Sequence, residues 1–208
     1  MPASRRDHLV DTAVELFARH GFHATGIDRV LKESGVAKMT LYKHFRSKDE
    51  LILAALRRRD ERFRNWFVRA VEELGRTPRE RLLALFDALE EWLARPDFAG
   101  CTFINASAEF GDPDDPIHAA AAEHKRLVLG YIRGLARAAG APDAEGLARQ
   151  LMLLTEGAIV TVQVSGQVSG QVSGQGSGQG SGEIGAAAEA RRAAEVLIGQ
   201  ALGDDGEA

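Results

Sequence analysis

The chain has 208 residues, 45% of them hydrophobic, with a formal net charge of −4 and one cysteine. This is apolar material for one large domain or two small ones, and a lone cysteine excludes an intramolecular disulfide framework and fits a reducing compartment. No early apolar stretch approaches the roughly 18 residues of a bilayer span, and MPASRRDHLV lacks the apolar core of a signal peptide, so a soluble, cytoplasmic chain with no membrane partner is expected.

The charge is unevenly placed. Residues 1–59 carry 12 Lys and Arg against 7 Asp and Glu, a net of +5, and the remainder carries 14 against 23, a net of −9. A basic head on an acidic body suggests that the head alone meets a polyanion.

In chain order, Leu9, Ala13, Leu16 and Phe17 recur at helical spacing and predict a first helix that Gly21 stops. A second, short helix follows, with Thr25 placed to cap it and Ile27, Val30 and Leu31 facing inward; Gly35 ends it. GVAKMTLYKHFRSKDEL then offers Val36, Leu41, Phe45 and Leu51 as core among Lys38, Thr40, Tyr42, Lys43, His44, Arg46 and Lys48. Ser47 and Glu50 form a capping box that starts a long helix to about Leu74, and TPRE at Thr77 repeats the signal with proline at the first helical position. That helix stops before Pro96. A short apolar piece, CTFINASAEF, a proline-led helix reaching Gly140, a helix opened by Asp143 and a last helix, AAAEARRAAEVLIGQAL, complete an all-α fold of about nine helices. Residues 163–182 are five tandem tetrapeptides of the form QxSG, whose glycines each cost a helix about 1 kcal/mol; they read as a flexible insertion between the last two helices.

Two short helices joined at Gly35 make a helix-turn-helix, whose second helix enters the DNA major groove. A groove lined by phosphates and base acceptors satisfies many donors at once. Lys38 suits guanine N7 and O6, Thr40 a base or a phosphate, and Tyr42 and His44 phosphate oxygens. Lys48 adds charge beside the first N–H groups of the long helix. Thr25 offers its hydroxyl to the opposite strand's backbone. Met39 and Lys43 join this DNA-binding set without indicating which bases are read.

In the body, Phe63, Phe67, Phe86, Trp92, Phe103 and Tyr131, with the polar Asn105, His118 and Glu156 and the thiol of Cys101, are the candidate lining of a small-molecule pocket. Glu109 and His124 are further polar candidates there, and the same aromatics also suit a plain core. His118 and His124 are six residues apart, about 240° around a helix, so no metal site is expected, and no cofactor. Cys101, near a helix N-terminus, is either a small packing residue or a redox or electrophile sensor. An all-helical enzyme with a packing-only helix pair is a rival class, but no nucleophile–base pairing, phosphate-binding loop or metal signature appears. A sequence-independent architectural DNA protein is a third class.

ATGIDRVLKESGVAKMTLYKHFRSKDEL resembles the DNA-binding head of the TetR/AcrR family of bacterial transcriptional regulators, through Thr25, Gly35, Val36, Thr40, Leu41, Tyr42, Phe45, Ser47, Lys48 and Leu51. Asp28, Ser34, Ala37 and His44 depart mildly from the family's pattern. The resemblance covers about residues 5–57. It implies a DNA-binding domain over 1–47 and a ligand-binding and dimerisation domain over 48–208. It also implies a homodimer joined by its last two helices, a palindromic operator in double-stranded DNA, and a small, largely apolar effector whose binding releases that operator. The stripe Ala187, Ala190, Ala194, Leu197 and Ile198 suits such an interface or an internal core equally.

Overall fold

The structure, a computed structural model, describes residues 4–165 and 185–203. Among them are nine α-helices and no strand: α1 Arg5–His20, α2 Ile27–Ser34, α3 Lys38–His44, α4 Lys48–Leu74, α5 Pro78–Leu93, α6 Thr102–Glu109, α7 Pro116–Ala138, α8 Ala144–Ser165 and α9 Ala186–Leu202. The local signals explain the boundaries. Ser47 Oγ accepts the Glu50 amide while the Glu50 carboxylate takes the Arg46 amide, and Thr77 and Glu80 close the full reciprocal box at α5. Asp143 Oδ1 accepts the Gly146 amide at the start of α8. Gly35 has φ +64° and ψ +13°, the left-handed conformation that lets α2 end and α3 turn away.

Compactness divides the chain into two units. The first holds Met1–Asn65 with Cys101–Arg126, and the second holds Trp66–Gly100 with Leu127–Ala208. The division at 47/48 expected from the sequence is one of roles. Compactness instead groups α1–α3 with the first part of α4, all of α6 and the first part of α7.

The first unit is built on a core of Leu9, Val10, Ala13, Phe17, Phe22, Val30, Leu41, Phe45, Leu51, Ile52 and Leu56, all buried. Phe17 and Phe22 pack with ring centroids 5.2 Å apart. Of the inward positions expected in α2, Val30 alone is fully buried; Ile27 and Leu31 are half-buried, as is Val36 in the turn that follows. The helix is only two turns long, so its apolar stripe reaches the core at a single central position. Arg58 pairs with Asp7 and Asp11, and Arg62 with Asp11, which ties α4 to α1.

In the second unit α5, α8 and α9 pack together. Leu82, Leu85, Phe86 and Leu89 of α5 meet a core completed by Leu147, Leu151, Ala158 and Ile159 of α8 and by Ala187, Ala190, Ala194 and Ile198 of α9, all buried. The small-residue stripe of α9 is therefore internal, because alanines let this helix approach α5 and α8 closely. The repeat array begins inside a helix: Gln163, Val164 and Ser165 belong to α8, since its first glycine is Gly166. Residues 166–182 lie outside the described residues.

Candidate functional site

Helix α3 is seven residues long and is held by one buried side chain of its own, Leu41, with Phe45 buried at its end. Everything else on it is offered outward. Lys38, Met39, Tyr42, Lys43 and His44 are exposed, Met39 at 86% and Tyr42 at 48%, and Thr40 is half-buried. An exposed methionine here gives the row an apolar member suited to a thymine methyl. The arrangement can donate to phosphates at Tyr42, Lys43 and His44 and to base edges at Lys38 and Thr40 without rearranging the fold.

One expected contact is corrected, and a second is partly engaged within the head. Thr25 is fully buried, and its hydroxyl donates to Gly21 O at 2.7 Å, so it clamps the α1–α2 turn rather than reaching DNA. Nor does it cap α2, whose N-cap is Gly26 with no side-chain hydrogen bond. Lys48 is half-buried, and its ammonium donates to His23 O at 3.3 Å, so its charge is partly spent inside the head.

The residues expected at a pocket are dispersed. In the second unit Phe67 stands edge-on to Tyr131, Phe86 lies in the core of α5, and Trp92 is buried against Phe98, their rings 5.1 Å apart. The Tyr131 hydroxyl is buried without a hydrogen-bond partner, and burial pushes its pKa up to about 12. Glu156 is half-buried on α8. In the first unit Phe63 and Phe103 converge on His124 instead. Phe103 stacks on the imidazole with centroids 3.6 Å apart and planes 9° from parallel, and Phe63 meets it edge-on at 5.6 Å. His124 Nδ1–H donates to Asp60 Oδ1 at 2.7 Å, and Arg64 grips both Asp60 oxygens. Burial pushes the His124 pKa down to about 4, more than the Asp60 hydrogen bond raises it, so the ring is neutral near pH 7. Burial would raise the Asp60 carboxyl, but the hydrogen bonds from Arg64 and His124 outweigh it and hold it below the usual range.

Beside this joint lies a partly open cavity of about 290 Å³, lined by Leu53, Leu56, Arg57 and Asp60 of α4 and by Pro116, Ala120, Glu123 and His124 of α7. Of the residues expected at an effector, His124 alone lines it. His118 Nδ1–H donates to Phe110 O at 2.7 Å, which fastens the end of α6 to α7. Asn105 is half-buried on α6. Cys101 is 3% exposed, with Sγ 3.6 Å from Lys125 Nζ. Among the described residues no cluster of three or more His, Cys, Asp or Glu could hold a metal ion, and no helix is long and apolar enough to cross a membrane.

Family models match the chain in two segments: bacterial regulatory proteins of the tetR family over residues 9–55, and a tetracyclin repressor-like C-terminal domain over residues 78–170. The chain belongs to the TetR family of bacterial regulatory proteins. The crystal structure of SCO4454, a TetR-family transcriptional regulator from Streptomyces coelicolor, superposes with a TM-score of 0.81 at 28% identity, covering 97% of this chain and 92% of that one. The HTH-type transcriptional regulator YjdC of Escherichia coli K12 is 24% identical over 161 residues, 77% of this chain and 84% of that protein. The HTH-type transcriptional repressor NemR of the same strain is 27% identical over 128 residues, 61% of this chain and 64% of that protein. This TetR-family chain is accordingly a helix-turn-helix transcriptional regulator.

What sequence reasoning missed is the use made of Glu109. It was a candidate for a pocket, yet it accepts the backbone amides of Phe22 and His23. One signal was available: a carboxylate on the last residue of α6 opposes the helix dipole.

Proposed function

We propose that the protein is a repressor that binds a palindromic operator as a homodimer and is released by a small, largely apolar effector. The outward row on α3 carries this reading. A seven-residue helix that buries Leu41 and exposes Lys38, Met39, Tyr42, Lys43 and His44 offers a row of donors and cations to a partner. The homodimer is supported by the last two helices, where Leu153, Val160 and Val164 of α8 and Val196 of α9 are exposed at 72, 43, 82 and 60%. A two-fold dimer presents two recognition helices to two half-sites and so demands an inverted repeat. The cavity beside His124 supports the effector. Its apolar wall of Leu53, Leu56, Pro116 and Ala120 suits an apolar body. Asp60 is paired with Arg64 and Glu123 with Arg126, whereas Arg57 has no ion-pair partner among the described residues. The reading is tested by selection from a randomised duplex pool: the enriched duplexes are expected to be inverted repeats bound by two chains, and Tyr42→Ala to weaken them all. Enrichment of half-sites alone, bound by one chain, would defeat it.

The contact of Cys101 with Lys125 supports a second reading, in which oxidation of the thiol releases DNA. It requires that hydrogen peroxide lower the duplex affinity of the wild type and spare Cys101→Ser. The first reading expects no difference between them, since the thiol is buried and packs as a small apolar side chain.

A further inference from the structure

The turn between α1 and α2 is held from outside its own helices. Gly21 ends α1 with φ +81° and ψ +167°, a conformation essentially reserved for glycine, and it aims the next two amides away from α1. Both find the same acceptor. The Phe22 amide donates to Glu109 Oε1 at 2.9 Å, and the His23 amide to Glu109 Oε2 at 2.6 Å. The contact is returned, because His23 Nε2–H donates to Glu109 O at 3.0 Å. Phe110 closes the joint, its ring 4.8 Å from that of His23 and 6.0 Å from that of Phe22. Lys48, the first residue of α4, binds His23 O on the far side. Gly21 also leaves the carboxylate its space, since an added Cβ would stand 2.9 Å from Glu109 Oε1.

The Glu109 contacts link the end of α6 to the α1–α2 turn. Helix α6 is eight residues long. One end of it carries Phe103 stacked on His124 beside the cavity, and the other carries Glu109 on the α1–α2 turn. His118 of α7 grips its C-cap carbonyl. A carboxylate closing a helix opposes the dipole of that helix, and here two charge-assisted hydrogen bonds to the head offset that cost. The α1–α2 turn in turn leads directly into the helix-turn-helix.

We propose that Glu109 is the positioning residue through which α6 and the DNA-binding helices sense each other: the carboxylate fixes the Phe22–His23 turn, so any shift of α6 displaces α2 and α3. The proposal rests on the reading of the protein as an effector-released DNA binder. Coupling between two sites is reciprocal, so DNA bound at α3 must tighten α6 as surely as an effector near α6 must loosen α3. The test therefore needs no effector. A duplex selected by the protein from a randomised pool is the probe, and hydrogen exchange is followed with and without it.

In the wild type, duplex binding is expected to slow exchange over α2–α3, at the Phe22 and His23 amides and along α6, by about tenfold or more at α6, within the range usual for coupled sites. In Glu109→Gln, which puts an amide N–H₂ where one backbone N–H needs an acceptor, the slowing over α2–α3 is expected to persist while that along α6 disappears. Glu109→Asp, too short to reach both amides, is expected to behave likewise and serves if the glutamine variant fails to fold. A staple without a signalling role would lower stability in these variants but leave the α6 response intact. Persistence of that response in a folded variant, or its absence from a wild type that binds the duplex, overturns the proposal. A wild type that enriches no duplex at all overturns the functional reading beneath it.

Discussion

Helix α3 and the α8–α9 pair each leave a face exposed among the described residues, and the two faces have opposite chemistry. On α3 the outward side chains are donors and cations around a single methionine. On α8 and α9 they are Leu153, Val160, Val164 and Val196, interleaved with the exposed Gly157, Thr161 and Ala193. Lengths differ in the same sense. Helix α3 has seven residues, and α8 has twenty-two. A polar face recovers its hydrogen bonds in water and needs only Leu41 and Phe45 to stay docked, so it can wait for DNA at little cost. An apolar face of similar extent loses free energy at about 25 cal/mol per Å² while it faces water, so the unpartnered side of α8 and α9 calls for constant cover. Under the proposed function, the difference suits the α3 face to reversible use and the α8–α9 face to permanent association.

The largest expected effect breaks the permanent side. Leu153→Lys with Val164→Lys places two ammonium groups where a second copy is expected to pack, while both positions are solvent-exposed within the chain. The variant should be monomeric by light scattering, with little change in helicity, and should lose roughly 10²- to 10⁴-fold in affinity for an inverted repeat, the usual gain from linking two sites. A variant that stays dimeric would place the association elsewhere.

The sequence made the local half of this contrast legible. The cap at Ser47, the capping box at Thr77 and the glycine at Gly35 all depend on residues within four positions of each other, which is the range over which helical chemistry acts. What it hid was long in range. Glu109 meets amides 86 and 87 residues away, and backbone amides carry no side-chain signature. Thr25 was misplaced because its acceptor is a carbonyl in the preceding turn, not a phosphate, and a threonine hydroxyl serves either. The aromatics were recognised, but not that Phe63 and Phe103 frame His124 while Phe67 pairs with Tyr131. Periodicity tells which face of a helix is apolar and leaves open which helix it meets. The same limit applied to α9, whose alanine stripe turned out to be internal.

A smaller effect is expected from pH. His124 is 4% exposed and faces Asp60 and Arg64 of α4, with Glu123 and Lys125 beside it on α7. Its pKa is about 4 in the folded chain against an ordinary 6.5. Between these values the unfolded chain binds a proton that the folded chain refuses, so stability is full above about pH 6.5 and falls as the pH drops toward 4. Asp60, held below the usual carboxylate range, stays ionised through this window. At about 1.4 kcal/mol per unit, the full loss attributable to His124 is on the order of 3 to 4 kcal/mol, about 2 kcal/mol of it between pH 7 and pH 5. Denaturant titrations at pH 7 and pH 5 should show a drop that His124→Gln reduces. Equal slopes in the two proteins would mean that the imidazole is protonated as readily in the folded chain as outside it.

The finest distinction lies within α3 itself and sharpens what its polar face does. Lys38, at the N-terminal end, is suited to a base edge, and Lys43, later on the helix and exposed, to phosphate. A phosphate contact releases about one counterion whatever the sequence, so Lys43→Ala should weaken specific and random duplexes alike and reduce the salt slope by about one unit. A base contact carries sequence information, so Lys38→Ala should cost about 1–3 kcal/mol on the selected duplex, and less on duplexes changed at the base it reads. Affinities measured against salt for both variants on both duplexes separate the roles. If the two substitutions gave the same pattern, the row on α3 would be an electrostatic patch rather than a reading head, and the specificity would have to come from DNA shape.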